Sequence, residues 1–206
     1  MPKRKIIIIT DGDNVARHVV EEVAKQIGGR CISSSGGNPT KLRGASIVDQ
    51  IKKAKHDPVL VMVDDNGRFE KGDGEKALEI IANHPDIEVL GAIAVASNAW
   101  NVAGVDVNFS IDCNGNITDF GVDKEGSPIS KNILHIYGDT VDVLQQLNIP
   151  YIVGIGDIGK MNGRDHIRYG APITRKAVEL ILERSGNNGA ISAIETNSYI
   201  QETGRE

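Results

Sequence analysis

Aspartates follow three short apolar runs in this chain, and carboxylates in such positions can bind a divalent cation. The runs are residues 6–9, 59–63 and 151–155, and the aspartates that follow are Asp11 and Asp13, then Asp64 and Asp65, then Asp157. Ile/Val runs of this length are typical of buried parallel strands, whose carboxyl ends meet at one edge of a sheet. Because Mg²⁺ and Ca²⁺ prefer oxygen ligands, the first four aspartates are the candidate metal ligands.

The same aspartates also have a purely structural interpretation. Asp13 precedes a predicted helix and is a residue type that caps helix N-termini. Asp64 and Asp65 stand before Gly67, which is typical of a turn. The two interpretations differ in whether the side chains converge on one point.

A glycine-rich turn follows the third apolar run. Its candidate ligand-binding residues are Gly154, Gly156, Asp157, Gly159 and Lys160. The pattern is close to a phosphate-binding loop, but such a loop needs Ser or Thr after the lysine and a helix that begins there. Met161 follows instead, and the next predicted helix begins about ten residues later. The alternative is a turn in which glycine lets the backbone pass close to a neighbouring segment.

A second candidate for anion binding is the loop at residues 36–41. It carries Asn38, Thr40 and Lys41 beside two glycines, and its amides and lysine could surround a small anion. The alternative is an ordinary connection between a strand and a helix.

Strand and helix patterns alternate through the first half of the chain. Strands are predicted at residues 6–10, 30–33, 59–63 and 87–95, and helices at 15–27, 47–54 and 74–83. In the first helix, residues 15, 19, 23 and 27 are expected on one apolar face. This order predicts a Rossmann-like three-layer α/β sandwich with a mostly parallel sheet.

The middle of the chain predicts a β-hairpin insertion near residues 105–122. Apolar and polar residues alternate strictly over 105–111, and Asn114-Gly115 is a strong hairpin signal. The α/β pattern then resumes with a helix at 140–147, a strand at 151–155 and a last helix from Pro172 to Gly186. We expect a single domain over residues 1–186 and a flexible polar tail over 187–206.

Composition excludes several classes of function. The net charge of −5 gives no broad field for nucleic acid or anionic lipid, and the basic run at residues 3–5 is typical of a solvated tail. No window approaches about 20 apolar residues, so we expect a soluble chain that does not span a bilayer. None of the five histidines lies beside a nucleophilic Ser or Cys in the sequence, so no catalytic triad is predicted.

Six segments together resemble the stage V sporulation protein AE family, over residues 5–186. They read IIIITDGDNVA, GGRCISSSGGNPTKL, PVLVMVDDNGRFEKGDGEKAL, IEVLGAIAVAS, YIVGIGDIGKMNGRD and YGAPITRKAVELILERSG. The resemblance implies a role in spore formation and germination, beside membrane-spanning partners that move calcium dipicolinate. It also implies a soluble companion subunit as partner and a place in the forespore, in solution or peripheral at the inner spore membrane. It transfers no catalytic residues.

We therefore expect a non-enzymatic accessory of the dipicolinate channel that needs no cofactor. The alternative is a Mg²⁺-dependent enzyme that acts on a phosphorylated ligand at the strand-end aspartates. Convergence of those aspartates with Lys160 in one open pocket would favour the enzyme. Homo-oligomerisation is left open.

Overall fold

The computed structural model describes residues 2–65, 72–98, 103–138 and 140–187. Its central sheet has seven strands, which are β1 (Arg4–Ile9), β2 (Arg30–Cys31), β3 (Val59–Met62), β4 (Ile87–Val95), β6 (Phe109–Ile111), β7 (Ile117–Thr118) and β11 (Ile152–Ile155). Their order in the sheet is β2-β3-β1-β4-β11-β6-β7, and all neighbouring pairs are parallel except β6 with β7.

Helices cover both faces of this sheet. On one face α1 (Asn14–Gln26) and α4 (Pro172–Arg184) pack on alternate side chains of β1 and β3, including Ile7. On the other face α2 (Gly44–Lys53) and α3 (Asp73–Ala82) pack on the intervening side chains, including Ile8. The predicted three-layer α/β fold with a mostly parallel sheet is confirmed.

The first helix turns nearly the expected face to the core, since Ile27 at its end is also buried and only Val15 departs from the prediction. Val19 and Val23 are buried as predicted, but Val15 is 42% exposed and Ala16 and Val20 take its place in the core. An α-helix has 3.6 residues per turn, so residues spaced exactly four apart shift gradually around the helix axis. Residues at one end of such a series therefore leave the buried face. Asp13 caps this helix by accepting a hydrogen bond from the Ala16 amide at 2.8 Å.

The hairpin insertion is present, but the strand predicted at 105–111 is two strands. β5 (Val105–Asp106) pairs with β10 (His135–Ile136), whereas β6 enters the main sheet beside β11 and pairs with β7 through the Asn114-Gly115 turn. Asn108 makes the break, because its side-chain oxygen accepts a hydrogen bond from the Ile152 amide at 2.7 Å. β8 (Phe120–Val122) and β9 (Pro128–Ile133) form a further antiparallel pair.

Two other sequence expectations are wrong. The helix expected at 140–147 is a 3₁₀ segment, Asp142–Gln146. Arg4 and Lys5 are half-buried members of β1 and not part of a solvated tail. The expected tail lies outside the described residues from position 188 onward. None of the helices in the described part of the chain is long and apolar enough to cross a membrane.

Candidate functional site

The strand-end aspartates lie at the point where the sheet changes its direction of winding. β1 and β3 are neighbours, and the chain leaves β1 toward α1 on one face but leaves β3 toward α3 on the other. Open α/β sheets bind their ligands in the crevice that this arrangement leaves outside the carboxyl ends of the strands. Asp11 follows β1 and Asp64 follows β3, so both stand at this crevice.

Asp11 is the most perturbed carboxyl group at this edge. Its exposure is 9%, and its Oδ1 accepts a hydrogen bond from the Asp13 amide at 3.2 Å. Burial raises the pKa of Asp11 from 3.8 to about 7, and the charges of Asp13, Asp157 and Asp64 add to the rise. We call Asp11, Asp13, Asp64 and Asp157 the acidic edge. Near neutral pH, Asp11 can therefore take up or release a proton.

Lys160 joins two members of the acidic edge. Its Nζ donates to Asp13 Oδ2 at 2.8 Å and to Asp157 Oδ1 and Oδ2 at 3.0 and 3.1 Å. We call these contacts the lysine bridge. Burial opposes the charge of Lys160, but the two carboxylates outweigh it and raise its pKa. Burial also acts to raise the pKa of Asp13, yet the Lys160 hydrogen bond lowers it overall. At Asp157 burial prevails and the pKa is raised.

Asp65 has a structural role at the start of α3. Its two carboxylate oxygens accept hydrogen bonds from the amides of Gly74 at 2.7 Å and Glu75 at 2.8 Å. A Cβ on Gly72 would stand 2.0 Å from Asp65 Oδ1, so only glycine admits this approach. Asp65 thus caps the start of α3. The turn expected before Gly67 runs into residues outside the described part of the chain, and a role of Asp65 as a metal ligand stays a proposal.

The loop at residues 36–41 lies across the crevice. Gly37 donates its amide to the Gly12 carbonyl at 2.7 Å, and Thr40 donates its amide to the Asp64 carbonyl at 2.8 Å. The Thr40 hydroxyl accepts a hydrogen bond from the Asp64 amide at 3.0 Å. These amides hold the loop on the ends of β1 and β3, while Lys41 remains exposed. A role of Asn38, Thr40 and Lys41 in ligand binding stays a proposal.

The glycine-rich turn passes close to other backbone segments. A Cβ on Gly156 would stand 2.6 Å from the Gly126 amide nitrogen, and Gly159, at φ +72°, would place one 2.8 Å from the side chains of Val15 and Val19. After Lys160 comes a 3₁₀ turn, Met161–Gly163, and α4 begins only at Pro172. The turn therefore lacks the helix N-terminus that a phosphate loop uses. Binding at Gly154 or its neighbours stays a proposal.

Two residues of this region carry no motif signal in the sequence. Asp165 is fully buried and accepts hydrogen bonds from the amides of Gly159, Ile173 and Thr174, which fixes the glycine-rich turn to the start of α4. Lys124 lies in the β8–β9 connection, and its backbone carbonyl accepts a hydrogen bond from the Asp157 amide at 2.8 Å. Lys124 and Asp157 are distant in the sequence, so no local spacing indicates their contact.

A cleft of about 430 Å³ opens beside the acidic edge. Its lining includes Ser97 and Asn98 after β4, Lys124, and the apolar side chains Val122, Ile129 and Tyr137. Its volume and mixed lining are within the range of small-molecule sites in proteins. In the part of the chain that the structure describes, no group of three or more His, Cys, Asp or Glu side chains is placed to hold a metal ion.

Fold and site together define an open, mostly parallel α/β protein whose acidic residues gather at the switch point of the sheet. The family model for stage V sporulation protein AE1, SpoVAE, matches residues 5–185. The chain belongs to this family, and the family resemblance noted in the sequence is confirmed. Its role is therefore in sporulation. Comparison with curated proteins and with solved structures gave no match.

Proposed function

We propose that this protein is a peripheral, non-enzymatic accessory of the channel that moves calcium dipicolinate in spores. It docks on the membrane-spanning stage V sporulation A proteins and on their companion subunit in the forespore. It acts there during sporulation and again in germination. Family membership supports the sporulation part of this proposal. The docking role rests on the arrangement of the carboxyl edge.

The lysine bridge is the observation that carries the proposal. Lys160 is the cation that a phosphate site in the glycine-rich turn would need, and it is held by Asp13 and Asp157 at 2.8 to 3.1 Å. The same contacts fasten the end of β11 to the start of α1, two segments 147 positions apart. The exposed part of this edge, Asp13, Asp157 and Lys160, is suited to recognition of a partner, because its fixed shape needs little ordering on binding.

A pull-down from sporulating cells tests this proposal. Tagged wild-type chain should recover the membrane-spanning stage V sporulation A proteins. Lys160→Ala should recover much less, since it releases the two loops and leaves Asp13 and Asp157 without their common cation. Lys25→Ala is the matched control, because Lys25 is exposed on α1 and, among the described residues, pairs with Glu22 alone, at 3.4 Å. Equal recovery by all three chains would refute docking through the acidic edge.

A Mg²⁺-dependent enzyme acting on a phosphorylated ligand is the second candidate. The crowding of carboxylates around Asp11 favours it. Burial is the main cause of the raised pKa of Asp11, but repulsion from Asp13, Asp157 and Asp64 adds to it, and a divalent cation would relieve that repulsion. Thermal melts with millimolar Mg²⁺ or Ca²⁺ test it, since a cation that binds only the folded state raises Tm. The enzyme candidate requires a rise in the wild type that Asp11→Asn abolishes, while Asp119→Asn, at an exposed position, keeps it. An unchanged Tm eliminates the metal site.

A further inference from the structure

A second cleft, of about 610 Å³, lies at the opposite edge of the sheet. Its walls are the first residues of the chain, the connection from α2 to β3, and the end of α4. Leu90 and Leu182, both almost fully buried, form its apolar floor. Lys3, Lys5 and Lys55 line the opening. We call this cavity the amino-edge cleft.

The charge of the amino-edge cleft contrasts with that of the whole chain. Its charged residues are Lys3, Arg4, Lys5, Lys55 and Asp57, so four cations and one anion give 4 − 1 = +3, against −5 for the protein. Arg4 and Asp57 neutralise each other, because the guanidinium donates to Asp57 Oδ1 at 2.6 Å. Among the described residues, the three lysines pair with no carboxylate. Three positive charges therefore face one cavity.

The end of α4 does not offset these charges. The last carbonyl groups of a helix carry partial negative charge when they are free. Here the Asn187 amide donates to the Leu182 carbonyl at 2.9 Å, and the Gly186 amide donates to the Glu183 carbonyl at 3.1 Å, with Gly186 at φ +71°. This Schellman closure satisfies the helix end. Lys5 donates to the Asn187 side-chain oxygen, a neutral acceptor.

We propose that the amino-edge cleft binds a phosphate group. Lysine ammonium groups on flexible stems bind phosphate as point charges, and three of them suit a compact oxyanion. The apolar floor suits an organic remainder, and the volume is within the range of ligand sites. The phosphate can belong to a small molecule in solution or to a lipid headgroup. This site lies on the other edge from the acidic edge and goes beyond the proposed accessory role.

The experiment compares two triple variants of the full chain with the wild type. The cleft variant carries Lys3→Ala, Lys5→Ala and Lys55→Ala. The control variant carries Lys25→Ala, Lys76→Ala and Lys131→Ala, which removes the same charge from exposed positions elsewhere. Calorimetric titration with inorganic phosphate tests the free group. Flotation with vesicles of phosphatidylglycerol and phosphatidylcholine, against phosphatidylcholine alone, tests the headgroup.

The proposal predicts binding by the wild type in at least one of these assays. The cleft variant should lose about tenfold or more in affinity while the control variant binds as the wild type does. Binding of phosphate in solution identifies a free ligand, and binding only to vesicles that contain phosphatidylglycerol identifies a headgroup. Absence of both, or equal loss in the two variants, overturns the proposal. If the cleft variant does not fold, Lys55→Ala alone replaces it, since Lys55 is exposed.

Discussion

Asp11 is deeply buried and lies among other carboxylates. Both conditions favour the protonated form of its carboxyl group over the charged form. Its pKa rises from 3.8 to about 7, chiefly because burial removes solvation from the charged form. Between these values the folded state holds more protons than the unfolded state. The contribution of Asp11 to the free energy of unfolding must then fall as pH rises through this window.

Asp11→Asn should remove this pH dependence. As pH rises from 4 to 7, the wild type should lose stability relative to Asp11→Asn. The loss in free energy of unfolding should be at most about 4 kcal/mol. Urea denaturation at several pH values measures it. Asp119→Asn, at an exposed site, serves as the control and should follow the wild type. A difference between Asp11→Asn and wild type that stays constant with pH would contradict the assignment.

Asp65 shows a different use of a buried carboxylate. It satisfies the amides of Gly74 and Glu75, two of the donors that a helix start leaves free. Asp65→Ala should therefore lower the free energy of unfolding by about 2 kcal/mol. Asp73→Ala, in the first turn of the same helix but largely exposed, should change it by only about 0.5 kcal/mol. Equal effects in urea denaturation would show that Asp65 is not the cap.

At the scale of elements, the loop at 36–41 lies across the crevice and is hydrogen-bonded to the residues that follow β1 and β3. Thr40 is 1% exposed, and its hydroxyl meets the Asp64 amide just beyond β3. This hydrogen bond joins the loop to the acidic edge. The loop and the lysine bridge together fix the carboxyl edge from two sides.

Thr40→Val keeps the shape of the side chain and removes its hydroxyl. The buried Asp64 amide would lose its acceptor, so unfolding should become easier by about 1–3 kcal/mol. Thr118→Val, on half-exposed β7, is the matched control and should lower the free energy of unfolding by less. Hydrogen exchange at the Asp64 amide gives the local measurement. Unchanged protection there would contradict the role of the hydroxyl.

Elements with a local signal could be predicted from the sequence, and contacts between distant residues could not. Strand β4 was expected at its observed bounds, because a long apolar run before Ser97 marks it. The break at Asn108 depends on a partner 44 positions away, Ile152, and no spacing indicates that contact. The gathering of Asp11 and Asp64 followed from strand order, but the lysine bridge required the folded chain.

For the whole molecule, the parallel sheet places clusters of opposite charge at its two edges. The carboxyl ends of its strands carry the acidic edge, and the amino ends carry the three lysines of the amino-edge cleft. The sequence alone showed only a net charge of −5 and a short basic run. Opposite edges of one protein can thus face different partners, which suits a docking accessory. The single-domain division at 1–186 stays a prediction.

We propose that the acidic edge serves sporulation through contact with partner proteins. The most direct measurement is the dipicolinate content of spores whose chromosomal copy encodes Lys160→Ala, with Lys25→Ala as control. Lys160 is half-exposed and partly exposed ion pairs contribute little to stability, so the variant should fold and accumulate normally. We predict a clear loss of dipicolinate with Lys160→Ala and a wild-type content with Lys25→Ala. Wild-type content and release with normally accumulating Lys160→Ala would contradict the account.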